Sequence, residues 1–222
     1  MFAALKRLIG ATRAPGREAD TLAAWARSEG HQFKRVKDGR GGGGFVAEAA
    51  AGWRVEWGAS QRPYISGHEL RFRCDIGLSP DVQMMLLSKA LAQTLETDVF
   101  SRYTNAMQTQ VDHTLPEEMR WLAMHQRVSL AASPVLARRF ALFSNAEDVA
   151  LAWLDETLLA QLDEAATTWW SDALLLVLTA NRGMLTLRMS GEGLEDGQLR
   201  LVAPLFELAV QRGRAVAGQA GR

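Results

Sequence analysis

Two short stretches alternate so regularly that they constrain the fold more than any other part of the chain. Trp53, Val55 and Trp57 fall on one side of an extended segment and Arg54 and Glu56 on the other, because side chains along a strand alternate with period two. Glu69 to Ile76 repeats the pattern, with Leu70, Phe72, Cys74 and Ile76 making an apolar face and Glu69, Arg71, Arg73 and Asp75 a charged one. That is how a half-buried antiparallel sheet reads, with one face on a core and the other toward water.

Helical signals surround this sheet, and the chain as a whole reads as α+β. Asp20 to Glu29 reads as a helix that turns Leu22, Trp25 and Ala26 inward and stops at Gly30. Candidate strands follow at Phe33–Val36, Phe45–Ala49, Trp53–Gly58 and Glu69–Ile76, which gives a sheet over residues 33–76. Ser79 and Pro80 resemble an N-cap and first helical position, so a helix over 80–100 is expected to cover the apolar face. Thr114 and Glu117 have capping-box spacing ahead of a short helix with Met119, Trp121 and Leu122. Further on, strands are expected at Arg127–Ala131 and Arg138–Phe143, with a capping box from Ser144 to Glu147 opening a helix over 145–165. A hairpin over 173–189 turns at Asn181, Arg182 and Gly183, and a helix over 199–212 ends the fold. Pro204 either kinks that helix or separates a strand at Leu199–Val202 from it.

The polar stretch around residue 110 divides these elements into an N-terminal unit, 1–110, and a C-terminal unit, 111–222. Each runs strands first and a covering helix afterwards, an order that a duplicated strand-strand-helix unit would give.

Composition bounds the function. Lys plus Arg and Asp plus Glu both number 25, so no global field attracts nucleic acid or an anionic membrane. The single cysteine, Cys74, rules out an internal disulfide and a multi-thiolate metal site, and together with the lack of a secretory pattern it points to the reducing cytoplasm. The longest apolar run, Ala173 to Leu178, is far below the roughly 18 residues that a spanning helix needs. Phe2, Leu5, Leu8 and Ile9 with Lys6 and Arg7 make residues 1–12 a small basic amphipathic turn, which either packs on the domain or rests on a membrane surface.

The motifs that could carry chemistry all have plainer readings. Gly39, Gly41 and Gly44 match G-x-G-x-x-G, but the motif works between a strand and a helix whose N-terminus receives phosphate. Phe45 onward reads as a strand, so a mobile basic loop without a nucleotide is expected. His113, Glu117 and Glu118 lie close together, yet a cap at Thr114 leaves the histidine outside the helix, and first-turn acids suit its dipole. No metal or cofactor is expected. Cys74 falls on an apolar face, where a cysteine is usually a small hydrophobe. Trp169 and Trp170 either place one ring in each of two core layers or leave one exposed as an interface anchor.

The tryptophans and the Arg-Pro-Tyr loop between Phe45 and Arg73, with the strand-helix pattern from Phe140 to Leu162, resemble uncharacterised conserved proteins of high-GC bacteria. The resemblance covers about half the chain and rests on structural motifs. It implies a bacterial origin and brings no activity and no catalytic residues.

Two classes of function stand open. One is a non-catalytic binding or adaptor module that meets a protein partner or a small anionic ligand through Arg54, Glu56, Arg71 and Arg73 on the charged face, with Arg62 and Tyr64 on the proline-containing loop beside it. The other is an enzyme acting on a small anion, with Arg54, Arg71 and Arg73 as the clamp and Glu56 or Glu69 as general base. A solvated face of cross-strand charge pairs is the plainest reading of the same residues.

Overall fold

The computed structural model describes residues 16–37, 43–105, 115–131 and 133–220. Through residue 105 they form α1 (Gly16–Ser28), β1 (Gln32–Lys37), β2 (Gly43–Glu48), β3 (Arg54–Ala59), β4 (His68–Asp75), β5 (Met84–Ser88) and α2 (Lys89–Asn105). Next come α3 (Glu117–Met124), β6 (Gln126–Val128), α4 (Pro134–Arg139), β7 (Phe140–Ser144), α5 (Glu147–Trp153) and α6 (Glu156–Thr168). The fold closes with β8 (Leu176–Asn181), β9 (Met184–Gly191) and α7 (Asp196–Ala220). Among the described residues no helix is long and apolar enough to cross a membrane. The amphipathic turn at residues 1–12, most of the glycine loop, Thr114 and His113 lie outside them.

All nine strands pair antiparallel in one sheet of order β1-β2-β3-β4-β9-β8-β5-β7-β6. Strand β4 pairs with β9 from His68↔Gly191 to Asp75↔Met184. Strand β5, which precedes residue 110, lies between β7 and β8, which follow it. The strand-and-helix layers expected for the two units are thus continuous through one sheet. The β8–β9 turn places Arg182 at φ 51° and Gly183 at φ 75°, the left-handed pair that a two-residue hairpin needs.

The alternation assigns the faces of the sheet correctly, but the helix that covers the apolar face is a different one. Trp53, Val55, Trp57, Leu70 and Phe72 are buried in the main core, where the Phe72 and Phe206 rings stand 5.3 Å apart and Trp53 meets Trp25 and Phe206 at 6.4 and 6.2 Å. Trp25 belongs to α1 and Phe206 to α7. The segment after Pro80, expected to be the covering helix, is instead strand β5, and α2 begins only at Lys89, where the Leu91 amide donates to Ser88 Oγ at 3.2 Å.

Helices α2 and α3 cover the opposite face over β5, β7 and β8, where Leu91, Leu95, Met119 and Trp121 pack on Met85, Leu87, Phe143 and Val177. Over β1 to β4 and β9 no described helix covers that face, so half of it is open. It is this half that carries the charged residues of β3 and β4.

Three further expectations are corrected. Arg138 and Arg139 end a short helix, capped where Ser133 Oγ accepts from the Leu136 amide at 3.2 Å, and the strand begins at Phe140. The helix expected over 145–165 is two helices, because the first stops at Trp153 and Asp155 caps the second by accepting from the Leu158 amide at 3.0 Å. Helix α7 runs through Pro204, with no strand before it. Trp170 is fully buried with its ring 4.5 Å from Phe140, and Trp169 packs on the same core.

Candidate functional site

The open half-face is built from rows of residues that register places side by side. One row runs from Lys34 through Val46, Glu56 and Arg71 to Arg188, and a second from Glu48 through Arg54 and Arg73 to Thr186. Opposite charges directly across a strand pair stabilise it by roughly 0.2–1 kcal/mol, and most of these charges are so placed. Arg71 donates from Nε to Glu56 Oε2 at 2.9 Å and from Nη1 to Glu69 Oε1 at 3.0 Å. Arg188 reaches the same Glu69 oxygen at 2.5 Å, and Arg54 meets Glu56 at 2.8 Å. Glu69 and Arg188 are buried although they belong to the charged face. Burial raises the pKa of the Glu56 carboxyl, but the Arg71 hydrogen bonds and the charges of Arg71, Arg54 and Arg73 outweigh it and hold it below the ordinary carboxylate value.

A groove of about 410 Å³ lies on this face, lined among others by Lys34, Val36, Arg54, Glu56, Gln61 and Arg71. Its floor is two glycines. Val36 pairs with Gly44 and Gly58 with Glu69, and a Cβ built on Gly58 would lie 4.0 Å from the Gly44 Cα. Two successive strands therefore lack a side chain in this row, which spans three strand spacings, roughly 14 Å. A glycine inside a strand commonly marks such a place of close approach.

The six residues expected to form one surface are divided by the structure. Arg54, Glu56 and Arg71 line the glycine-floored groove. Arg62 and Arg73 line a neighbouring cavity of about 450 Å³ together with Arg188, Glu117, Glu118 and Trp121. Tyr64 lines neither. It packs against the α2–α3 core and donates its hydroxyl to Glu118 Oε1 at 2.8 Å. Burial, with the charge of Glu118 and the hydrogen bond to it, pushes the Tyr64 phenol well above its ordinary pKa, so it is a neutral donor.

The expectation that the loop carries Arg62 and Tyr64 outward is thus corrected. Arg62 is ion-paired to the buried Glu118. Burial opposes the Arg62 charge, and Glu118 outweighs it and raises the pKa. An arginine and a tyrosine satisfying one buried carboxylate clamp the loop onto α3. Glu117, the other acid of the expected cluster, accepts from Asn181 Nδ2 at 2.5 Å and from Arg182 at 3.2 Å. Cys74 is buried, and burial raises its thiol pKa while the Arg214 charge opposes the shift, which makes it a poor nucleophile.

No family model and no curated protein matches the chain. Among solved structures, the mycobacterial trehalose monomycolate transport factor A, TtfA, is similar at 10% identity and a TM-score of 0.46, with 89% of this chain and 93% of that chain covered. A score at that level does not establish a shared fold.

Proposed function

We propose that the chain is a non-catalytic binding module that seats a segment of a protein partner in the glycine-floored groove on the open half of its sheet. The observation that carries this reading is the combination of a bare floor and a pre-formed rim. Lys34, Arg54 and Arg71 alternate there with Glu48, Glu56 and Glu69, a pattern that suits a partner segment bearing both signs of charge. The rim side chains nearest the floor are already held by one another, so ordering them on binding costs little.

The same pairing argues against the enzymatic alternative. A general base works best with a pKa near the operating pH, whereas Glu56 is held below the ordinary value and Glu69 is locked between two arginines. A single buried thiol fits the reducing cytoplasm.

Filling the floor tests the reading. A side chain at Gly58 meets only ordinary contacts and the position needs no positive φ, so Gly58→Val is expected to keep the fold with equal or slightly greater stability. In quantitative affinity capture with immobilised protein, this variant is expected to retain at least tenfold less partner than the wild type. The same partners captured in the same amounts by folded Gly58→Val would remove the groove from the account.

A further inference from the structure

The second cavity of the open face is a site of different character. Its volume of about 450 Å³ falls within the roughly 300–1,000 Å³ of small-molecule pockets. It lies between the loop after β3, helix α3 and the β8–β9 hairpin, so its walls come from four parts of the chain.

Three of its four arginines already have carboxylate partners: Arg62 has Glu118, Arg182 has Glu117 at 3.2 Å, and Arg188 has Glu69 at 2.5 Å. Arg73 is half-buried, and no carboxylate is in ion-pair range of it among the described residues. Burial lowers its pKa, Glu56 opposes that, and the charges of Arg54, Arg71 and Arg62 lower it further. One uncompensated guanidinium thus faces a cavity in a cationic neighbourhood. Beside it in register stands Thr186, followed by Thr179. Asn181 Oδ1, also in the lining, is a buried acceptor with no hydrogen-bond donor. Trp121 and Met184 add apolar wall.

We propose that this cavity binds a small organic monocarboxylate, its carboxylate on Arg73 beside Thr186, its body against Trp121 and Met184, and a hydroxyl donating to Asn181 Oδ1. The planar fork of arginine matches a carboxylate bidentately. A single unpaired charge suits a monoanion, whereas a dianionic phosphate would leave a charge uncompensated near Glu117 and Glu118. The site shares a face with the partner groove, but it does not depend on that reading.

Mandelate, which carries a carboxylate, a hydroxyl and a ring, is a suitable probe, with inorganic phosphate as the comparison. Titrated calorimetrically into the full chain, mandelate is expected to bind with a dissociation constant of about 1 mM or tighter. Arg73→Gln is expected to weaken it at least tenfold and Thr186→Val severalfold, while Arg54→Gln, in the partner groove, leaves it within about twofold. Arg73→Gln removes a charge that repels its neighbours, so it should fold. Circular dichroism checks this, and Thr186→Val decides the matter if Arg73→Gln fails. No saturable heat with mandelate, an affinity unchanged by a folded Arg73→Gln, or tighter binding of phosphate would each overturn the proposal. Loss of partner capture in Gly58→Val with mandelate binding intact separates the two sites.

Discussion

Phe72→Ala is expected to destabilise the protein by about 3–5 kcal/mol, the range for an aromatic deleted from a core. Phe72 has no exposed surface. It pairs with Val55 on one side and Leu187 on the other, and its ring meets Trp53 at 5.7 Å and Phe206 at 5.3 Å. Strands from both ends of the chain and helix α7 thus converge on one ring, and none of the three can move into the void without disturbing the others. In a domain of this size the thermal midpoint should fall on the order of 10 °C. A fall of only a degree or two would mean that β4 is not paired in the register described.

The second large effect is electrostatic. Glu69 is buried and accepts from Arg71 at 3.0 Å and from Arg188 at 2.5 Å. Glu69→Ala leaves two largely buried guanidiniums beside Arg54, Arg62 and Arg73 with that partner gone, and removing one member of a buried ion pair typically costs about 3–5 kcal/mol. The double variant Glu69→Leu with Arg188→Leu removes the charge as well as its partner, and is expected to recover much of that loss. Chemical denaturation of the three proteins measures both quantities. A double variant less stable than the single one would show that Arg188 contributes by packing rather than by its charge.

What could be read from the sequence follows from how each element is buried. Strands β3 and β4 were legible because one face is buried and the other open, so Trp57 and Glu56, or Phe72 and Arg71, fall on opposite sides of a period of two. Strands β5 and β7 are buried on both faces, and Met84 to Leu87 carries no alternation to distinguish a strand from a buried helix. The convincing cap at Ser79 and Pro80 then drew the reading toward a helix. The β4–β9 pairing that joins the two ends of the chain has no local signature.

The candidate site divides in the same way. Placing Arg54, Glu56, Arg71 and Arg73 on one face required only the period of the strands. Arg188 and Glu118, which decide which of those charges are compensated, come from β9 and α3, and nothing near Arg71 or Arg62 in sequence points to them. Gly44 and Gly58 did carry a signal, since glycine weakens a strand unless a close approach requires it. Gly44 was instead absorbed into the loop motif.

The central claim is that a partner meets the uncovered half of the sheet, and site-specific photo-cross-linking tests it most directly. A photo-reactive residue at Arg54, on the open face, is compared with one at Leu201, which is exposed on helix α7 against the opposite face. The account predicts a cross-linked partner from position 54, lost when Gly58→Val is added, and none from position 201. Adducts from position 201 with none from position 54 would contradict it.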